Sequence, residues 1–131
     1  MTRNIVFVCL HGSAKSVIAG EYFERLATAR GVRATATALG VEPDAAIPPR
    51  VIDGLMADGI DVRGRQPRGV APEDLKGASR IVSFGCDLGA LAPAGVPIDR
   101  WDGVPAVSDD FGQARDAIVA RVTALLEAAR E

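Results

Sequence analysis

Histidine occurs once in this chain and cysteine twice, so neither a disulfide-stapled scaffold nor a Cys/His zinc set can be assembled from it. No apolar run approaches the roughly 20 residues that cross a bilayer, and the opening residues lack the charged start, apolar core and cleavage site of a secretory signal. Basic residues are not in excess. Fifteen Lys and Arg against seventeen Asp and Glu leave a net charge of −2, with no field to hold nucleic acid or an anionic membrane. Internal repeats and low-complexity tracts are also missing. These absences predict a cytoplasmic protein with no metal, no nucleic-acid partner and no membrane partner. In a reducing compartment Cys9 and Cys86 start as thiols, so a disulfide would be a step in chemistry.

What the sequence has is core. With 131 residues, 48% of them hydrophobic, it suits a single domain over 1–131 that buries about two thirds of its unfolded surface. Ile5, Val6, Phe7 and Val8 form a continuous apolar run, which reads as a buried parallel strand over Asn4 to Cys9. A helix follows from about Ala14 to Arg30, with Val17, Ile18, Tyr22, Leu26 and Ala29 at three- and four-residue steps and Gly31 ending it. A second strand is predicted over 32–39. A proline-opened helix then carries Val51, Leu55 and Met56 inward.

Pro72 opens a short helical turn, "SRIVSFGC" is a third strand and "VPIDRW" a fourth. Ser108 is placed to cap a last helix whose face is Phe111, Ala114, Ile118, Val122 and Leu125. Strands alternating with helices mean an α/β fold with a doubly wound parallel sheet, whose ligands bind at the carboxyl ends of the strands. Cys9 ends the first strand and Cys86 lies just past the third, so both belong to that edge.

Between the first strand and helix runs "CLHGSAKS", residues 9–16. Its backbone N–H groups, from Leu10 through Ala14, can form an anion cradle completed by the helix N-terminus, and Gly12 permits a left-handed turn within it. A tetrahedral oxyanion fits such a cradle. The same groups, with Lys15, favour the thiolate of Cys9, and the Ser16 hydroxyl is in reach of the sulfur. A cysteine that ends an apolar strand is commonly a small buried hydrophobe, but the donor-rich loop favours a nucleophile. Lys15 is misplaced at a helix N-terminus unless an anion offsets it. His11 reads as an exposed loop residue. The nucleotide-binding pattern G-x-x-x-x-G-K-[ST] shares this frame but requires glycines where Cys9 and Ala14 stand.

Cysteine, five residues, then Lys15 and Ser16 between a first strand and first helix resembles the signature of the low-molecular-weight protein tyrosine phosphatases and the arsenate reductases that share their fold. "CLHGSAKSVIAG", "GIDVRGRQPRGVAPEDLKGASRIVSFGCD" and "RWDGVP" look most like the arsenate reductase branch, and the match runs over nearly the whole chain. The resemblance implies a four-stranded parallel sheet with helices on both faces. It makes Cys9 the nucleophile on a small oxyanion, arsenate or phosphate, or on a phosphorylated substrate. Leu10, His11, Gly12, Ser13, Ala14 and Lys15 would form the cradle and Ser16 would support the thiolate. It also makes Cys86 a candidate resolving thiol, with a buried structural thiol as the competing reading.

Three departures qualify the resemblance. Lys15 replaces the signature arginine and lacks its two-pronged grip on oxyanion oxygens. The family's acid before proline is Val104 here, with Asp102 two residues earlier as a possible substitute. The second redox cysteine is missing from "DLGALAP", so turnover would use Cys9 with Cys86 or an external reductant, a small thiol or a thioredoxin-like protein, with no bound cofactor. The leading expectation is arsenate-reductase-like oxyanion chemistry. Its alternatives are a degenerate oxyanion-binding sensor or partner protein, and a slow tyrosine phosphatase.

Overall fold

A computed structural model describes residues 3–129. Strand β1 (Arg3–Cys9) is followed by α1 (Lys15–Ala29), β2 (Ala34–Gly40), α2 (Pro49–Ala57), α3 (Pro72–Lys76), β3 (Arg80–Ser83), β4 (Ile98–Arg100) and α4 (Phe111–Ala129), with one 3-10 turn at Gly89–Leu91. The four strands pair in parallel in the order β2-β1-β3-β4. β1 is therefore central, which is why its apolar run is continuous: both of its faces are covered.

Successive side chains of β1 enter two different cores. Ile5, Phe7 and Cys9 join the larger one with Ile18 and Phe23 of α1, Leu55 of α2 and Ile118 of α4. Val6 and Val8 join the smaller one with Leu75 of α3, Ile81 and Leu88. Phe7, Ile18, Phe23 and Ile118 are almost wholly buried, each contributing about 1.5–3 kcal/mol of transfer free energy. Phe7 is flanked by the rings of Phe23 and Trp101, each centred 5.8 Å away, and Trp101 meets Phe84 edge-on at 5.6 Å.

Several boundaries differ from those read in the sequence. β2 starts two residues late, because the Val32 N–H returns to the Ala27 carbonyl (2.9 Å) and Gly31, with φ of 69°, makes the turn. Ala29 is exposed and Met56 only half-buried; Phe23 and Ala27 take the inward places on α1. Ser108 does not cap the last helix. Asp110 does, its Oδ1 accepting the Gln113 N–H at 3.0 Å. Leu126, wholly buried, joins the inner face of α4, where Leu125 packs half-buried against the same core.

The carboxyl ends of β1 and β2 meet in a backbone contact that only glycine permits. Gly12 has φ of 63°, and a Cβ on it would lie 2.7 Å from the Gly40 nitrogen. A Cβ on Gly40 would lie 2.5 Å from the Gly12 nitrogen. Elsewhere, Asp58, just past α2, ties three helices together. It accepts the Tyr22 hydroxyl from α1 and the Arg115 guanidinium from α4 (3.3 Å), and its carbonyl accepts Arg25 at 2.6 Å. Burial and the Asp58 carboxylate push the Tyr22 phenol up from 10.0 to about 12. The Tyr22 hydroxyl, aided by Arg115, holds Asp58 below the usual carboxylate range.

Two outcomes follow. Gly40→Ala must displace the backbone of residues 11–12 and should cost about 2 kcal/mol or more in urea denaturation, because all three nearest atoms are backbone. The stability that Tyr22 supplies is complete below pH 10.0 and is lost as pH rises towards its raised value of about 12. That from Asp58 is present above the ordinary carboxylate range and is lost as pH falls through its depressed value. Tyr22→Phe should lower stability by about 1 kcal/mol near neutrality and flatten the alkaline decline, as read from unfolding midpoints against pH.

Candidate functional site

Cys9 closes β1 and is 8% exposed. After it the chain turns into α1, and the hydrogen bonding of that turn is one-sided. The carbonyls of Cys9, Leu10 and His11 accept the N–H groups of Val41 (3.1 Å), Glu42 (2.7 Å) and Asp44 (3.0 Å) from the segment after β2. Among the described residues, no backbone or side-chain acceptor meets the N–H groups of Leu10 through Lys15. The loop thus spends its acceptors on the neighbouring segment and keeps its donors, next to the amino end of a fifteen-residue helix. Free donors beside a helix N-terminus are the physical requirement of an anion cradle.

The side chains around the cradle are held from several elements. Ser16 Oγ lies 3.0 Å from Cys9 Sγ, both buried; an ionised sulfur can only accept, so against a thiolate the hydroxyl is the donor. Ser13, 3% exposed, donates to Asp44 Oδ2 at 2.7 Å. His11 Nδ1 is 3.1 Å from the Glu42 carbonyl and 3.5 Å from Asp44 Oδ1. Lys15, half-buried, crosses to another segment: its Nζ donates to the Val104 carbonyl at 3.1 Å. Arg50, on α2, donates through Nη1 to the Ser108 carbonyl.

These groups line one open cleft of about 670 Å³ at the carboxyl edge of the sheet. Cys9, Leu10, His11, Ser13, Ala14 and Lys15 form one side of it. Asp44, hydrogen-bonded to Ser13, lines it beside them, and Arg50, Phe84 and Val107 complete the lining. The structure therefore brings together the predicted nucleophile, cradle and cation; His11 is the exposed loop residue expected, its side chain 52% exposed, and it also stands on the cleft wall. Asp44 and Arg50 escaped the sequence reading. They come from the coil after β2 and the start of α2, and the only local signal was that this coil also leaves a carboxyl strand end.

Two predicted participants stand elsewhere. Cys86 packs with the smaller core, on the other face of the sheet from Cys9; its Sγ is 3.3 Å from Ser83 Oγ and 3.6 Å from the Val8 carbonyl. It is a free thiol and does not line the cleft. Asp102, the substitute acid, has an exposed side chain 3.5 Å from Arg100 and is also outside the cleft. Val104 itself is buried and presents its carbonyl to Lys15. No group of three or more His, Cys, Asp or Glu among the described residues could hold a metal, and no described helix is long and apolar enough to cross a membrane.

With this geometry in place, the chain can be set beside known proteins. A putative arsenate reductase of Halobacterium salinarum is 25% identical over 119 residues, covering 89% of this chain and 81% of that one. The solved arsenate reductase of Archaeoglobus fulgidus superposes with a TM-score of 0.70 at 26% identity, over 94% of this chain and 98% of the other. A thioredoxin-dependent arsenate reductase of Corynebacterium glutamicum has the same fold, with a TM-score of 0.83 at 20% identity over 98% of this chain. This chain spans only 62% of that protein's length. Residues 4–87, which hold Cys9, its loop and Cys86, match the family described as low molecular weight phosphotyrosine protein phosphatase. The four-stranded parallel sheet, the cysteine loop and this match agree: the chain belongs to the low molecular weight phosphotyrosine protein phosphatase family and resembles its arsenate reductases.

Proposed function

We propose that this protein carries out thiol chemistry on a tetrahedral oxyanion, with arsenate as substrate and Cys9 as nucleophile. The observation that carries the reading is the Cys9 sulfur 3.0 Å from the Ser16 hydroxyl, beside a loop whose N–H groups have no internal acceptor. The likeness to arsenate reductases directs the choice of substrate. The Cys9 thiolate attacks arsenic, a sulfur–arsenic bond forms and one oxygen departs as water. A second thiolate then attacks Cys9 sulfur; the electron pair of the sulfur–arsenic bond passes to arsenic, which leaves as arsenite, and a disulfide remains.

The placement of Cys86 supports an external source for the second thiolate. Cys86 would have to cross from the other face, a rearrangement of the segment past Ser83 that contains Gly85 and Gly89, both at positive φ. An external thiol needs only the open cleft. A small thiol or a thioredoxin-like protein is therefore assigned the resolving step, with Cys86 in reserve if that segment unfolds. Leu10, 45% exposed at the cleft, offers an apolar contact to whatever docks there.

A second reading, oxyanion binding without turnover, is favoured by one observation. The residue before Pro105 contributes only a carbonyl, and that carbonyl occupies one of the three donors of Lys15.

Arsenate added to the reduced protein with a small external thiol should consume thiols in step with arsenite release, and Cys9→Ser should abolish both while phosphate still raises the melting temperature. Cys86→Ser should retain most of this turnover. Unchanged thiols in the wild type, with phosphate still stabilising it, would decide for the binding-only reading. Lys15→Arg restores a two-pronged donor and should raise kcat/KM for arsenate by about 10-fold or more.

A further inference from the structure

The family resemblance leaves the leaving group without a proton source, because Val104 has no acid to offer and Asp102 stands outside the cleft. A bond from phosphorus or arsenic to a poorly acidic oxygen breaks slowly unless that oxygen is protonated as it leaves. The ionisable side chains lining the cleft are Cys9, His11, Lys15, Asp44 and Arg50. Cys9 is the nucleophile. Lys15 and Arg50 are cations tied to the Val104 and Ser108 carbonyls. Asp44 accepts the Ser13 hydroxyl on one oxygen and faces His11 with the other. Only the imidazole is left to carry a proton in and out.

Its orientation fits that task. A carbonyl oxygen can only accept, so the 3.1 Å contact with the Glu42 carbonyl requires the proton of His11 to sit on Nδ1. Asp44 Oδ1, 3.5 Å from the same nitrogen, supplies the adjacent negative charge. With Nδ1 committed, Nε2 is the ring nitrogen that can take up and give a proton, the division of labour seen wherever a backbone or carboxylate oxygen holds one side of a histidine. Ser13 in turn fixes the carboxylate, and Ser13 is itself buried.

We infer that His11, held by the Glu42 carbonyl and Asp44, is the proton donor to the leaving oxygen in this cleft. The inference rests on the oxyanion reading above and assigns its missing acid. The acid is the imidazolium, protonated on both nitrogens: as Cys9 sulfur bonds to the central atom, the bond to the leaving oxygen breaks, that oxygen takes the Nε2 proton, and the neutral ring keeps its proton on Nδ1. In the following hydrolysis of a thiophosphoryl adduct, the neutral ring takes a proton from the attacking water as the sulfur–phosphorus bond breaks.

Leaving-group dependence tests this, using aryl phosphates with the full-length protein. His11→Asn should slow phenyl phosphate hydrolysis by about 100-fold or more, the usual weight of a general acid, because its phenoxide needs a proton. The same variant should slow p-nitrophenyl phosphate hydrolysis by less than about 5-fold, because the stabilised nitrophenolate departs unaided. Affinity for inorganic phosphate, measured by calorimetry, should stay within about 3-fold, since the backbone cradle is untouched. Asp44→Asn, which keeps a Ser13 acceptor, should show the same selectivity in weaker form, and Asp102→Asn none.

Equal losses on both esters, no loss at all, or selectivity produced by Asp102→Asn would overturn the inference. So would a wild type that binds phosphate and hydrolyses neither ester. A wild type that fails to bind phosphate would instead sink the oxyanion reading, and this assignment with it.

Discussion

The site depends on how one short loop distributes its hydrogen bonds. Three consecutive carbonyls, from Cys9 to His11, are taken by N–H groups of residues 41, 42 and 44, while the loop's own donors are left over. Unpaired buried donors are costly, so the arrangement holds only because β2 ends beside β1 in register, Cys9 against Gly40, and feeds its next residues along the loop. The glycine pair at positions 12 and 40 makes that approach close enough. Strand pairing, glycine placement and the loop's free donors are one constraint seen at three scales.

A second set of links closes the cleft from the far side. Lys15, at the start of α1, and Arg50, on α2, donate to carbonyls four residues apart in the segment before α4. Both are cations on the wall of a cleft suited to anions, so segment 104–108 is fastened by charges that a ligand would also seek. The change from arginine to lysine and the loss of the acid before Pro105 therefore meet at a single contact, the Lys15 ammonium on the Val104 carbonyl.

The fold was largely legible because β1 and α1 carry strong local patterns: an unbroken apolar run, then a helical stripe ended by Gly31. Cys9 and the donor-rich loop beside it were legible because they are contiguous. Asp44 and Arg50 were not, since coil has no periodicity and their partners lie across the fold, Arg50 pairing with Ser108 58 residues on. The destination of Lys15, 89 residues away, has no local signature either. Cys86 illustrates a subtler limit. Val82 and Phe84 of the third strand region face the larger core, and simple alternation would send Cys86 there too. The positive φ of Gly85 breaks the alternation, and Cys86 turns to the smaller core.

That reversal bears on the resting life of the protein. With one sulfur bound to Ser16 on the α1 side and the other to Ser83 and the Val8 carbonyl on the α3 side, the sheet works as a partition between two oxidisable groups. Side chains that point apart cannot be bridged without moving backbone. Adventitious oxidants therefore find no ready-made pair of thiols to cross-link within the resting chain.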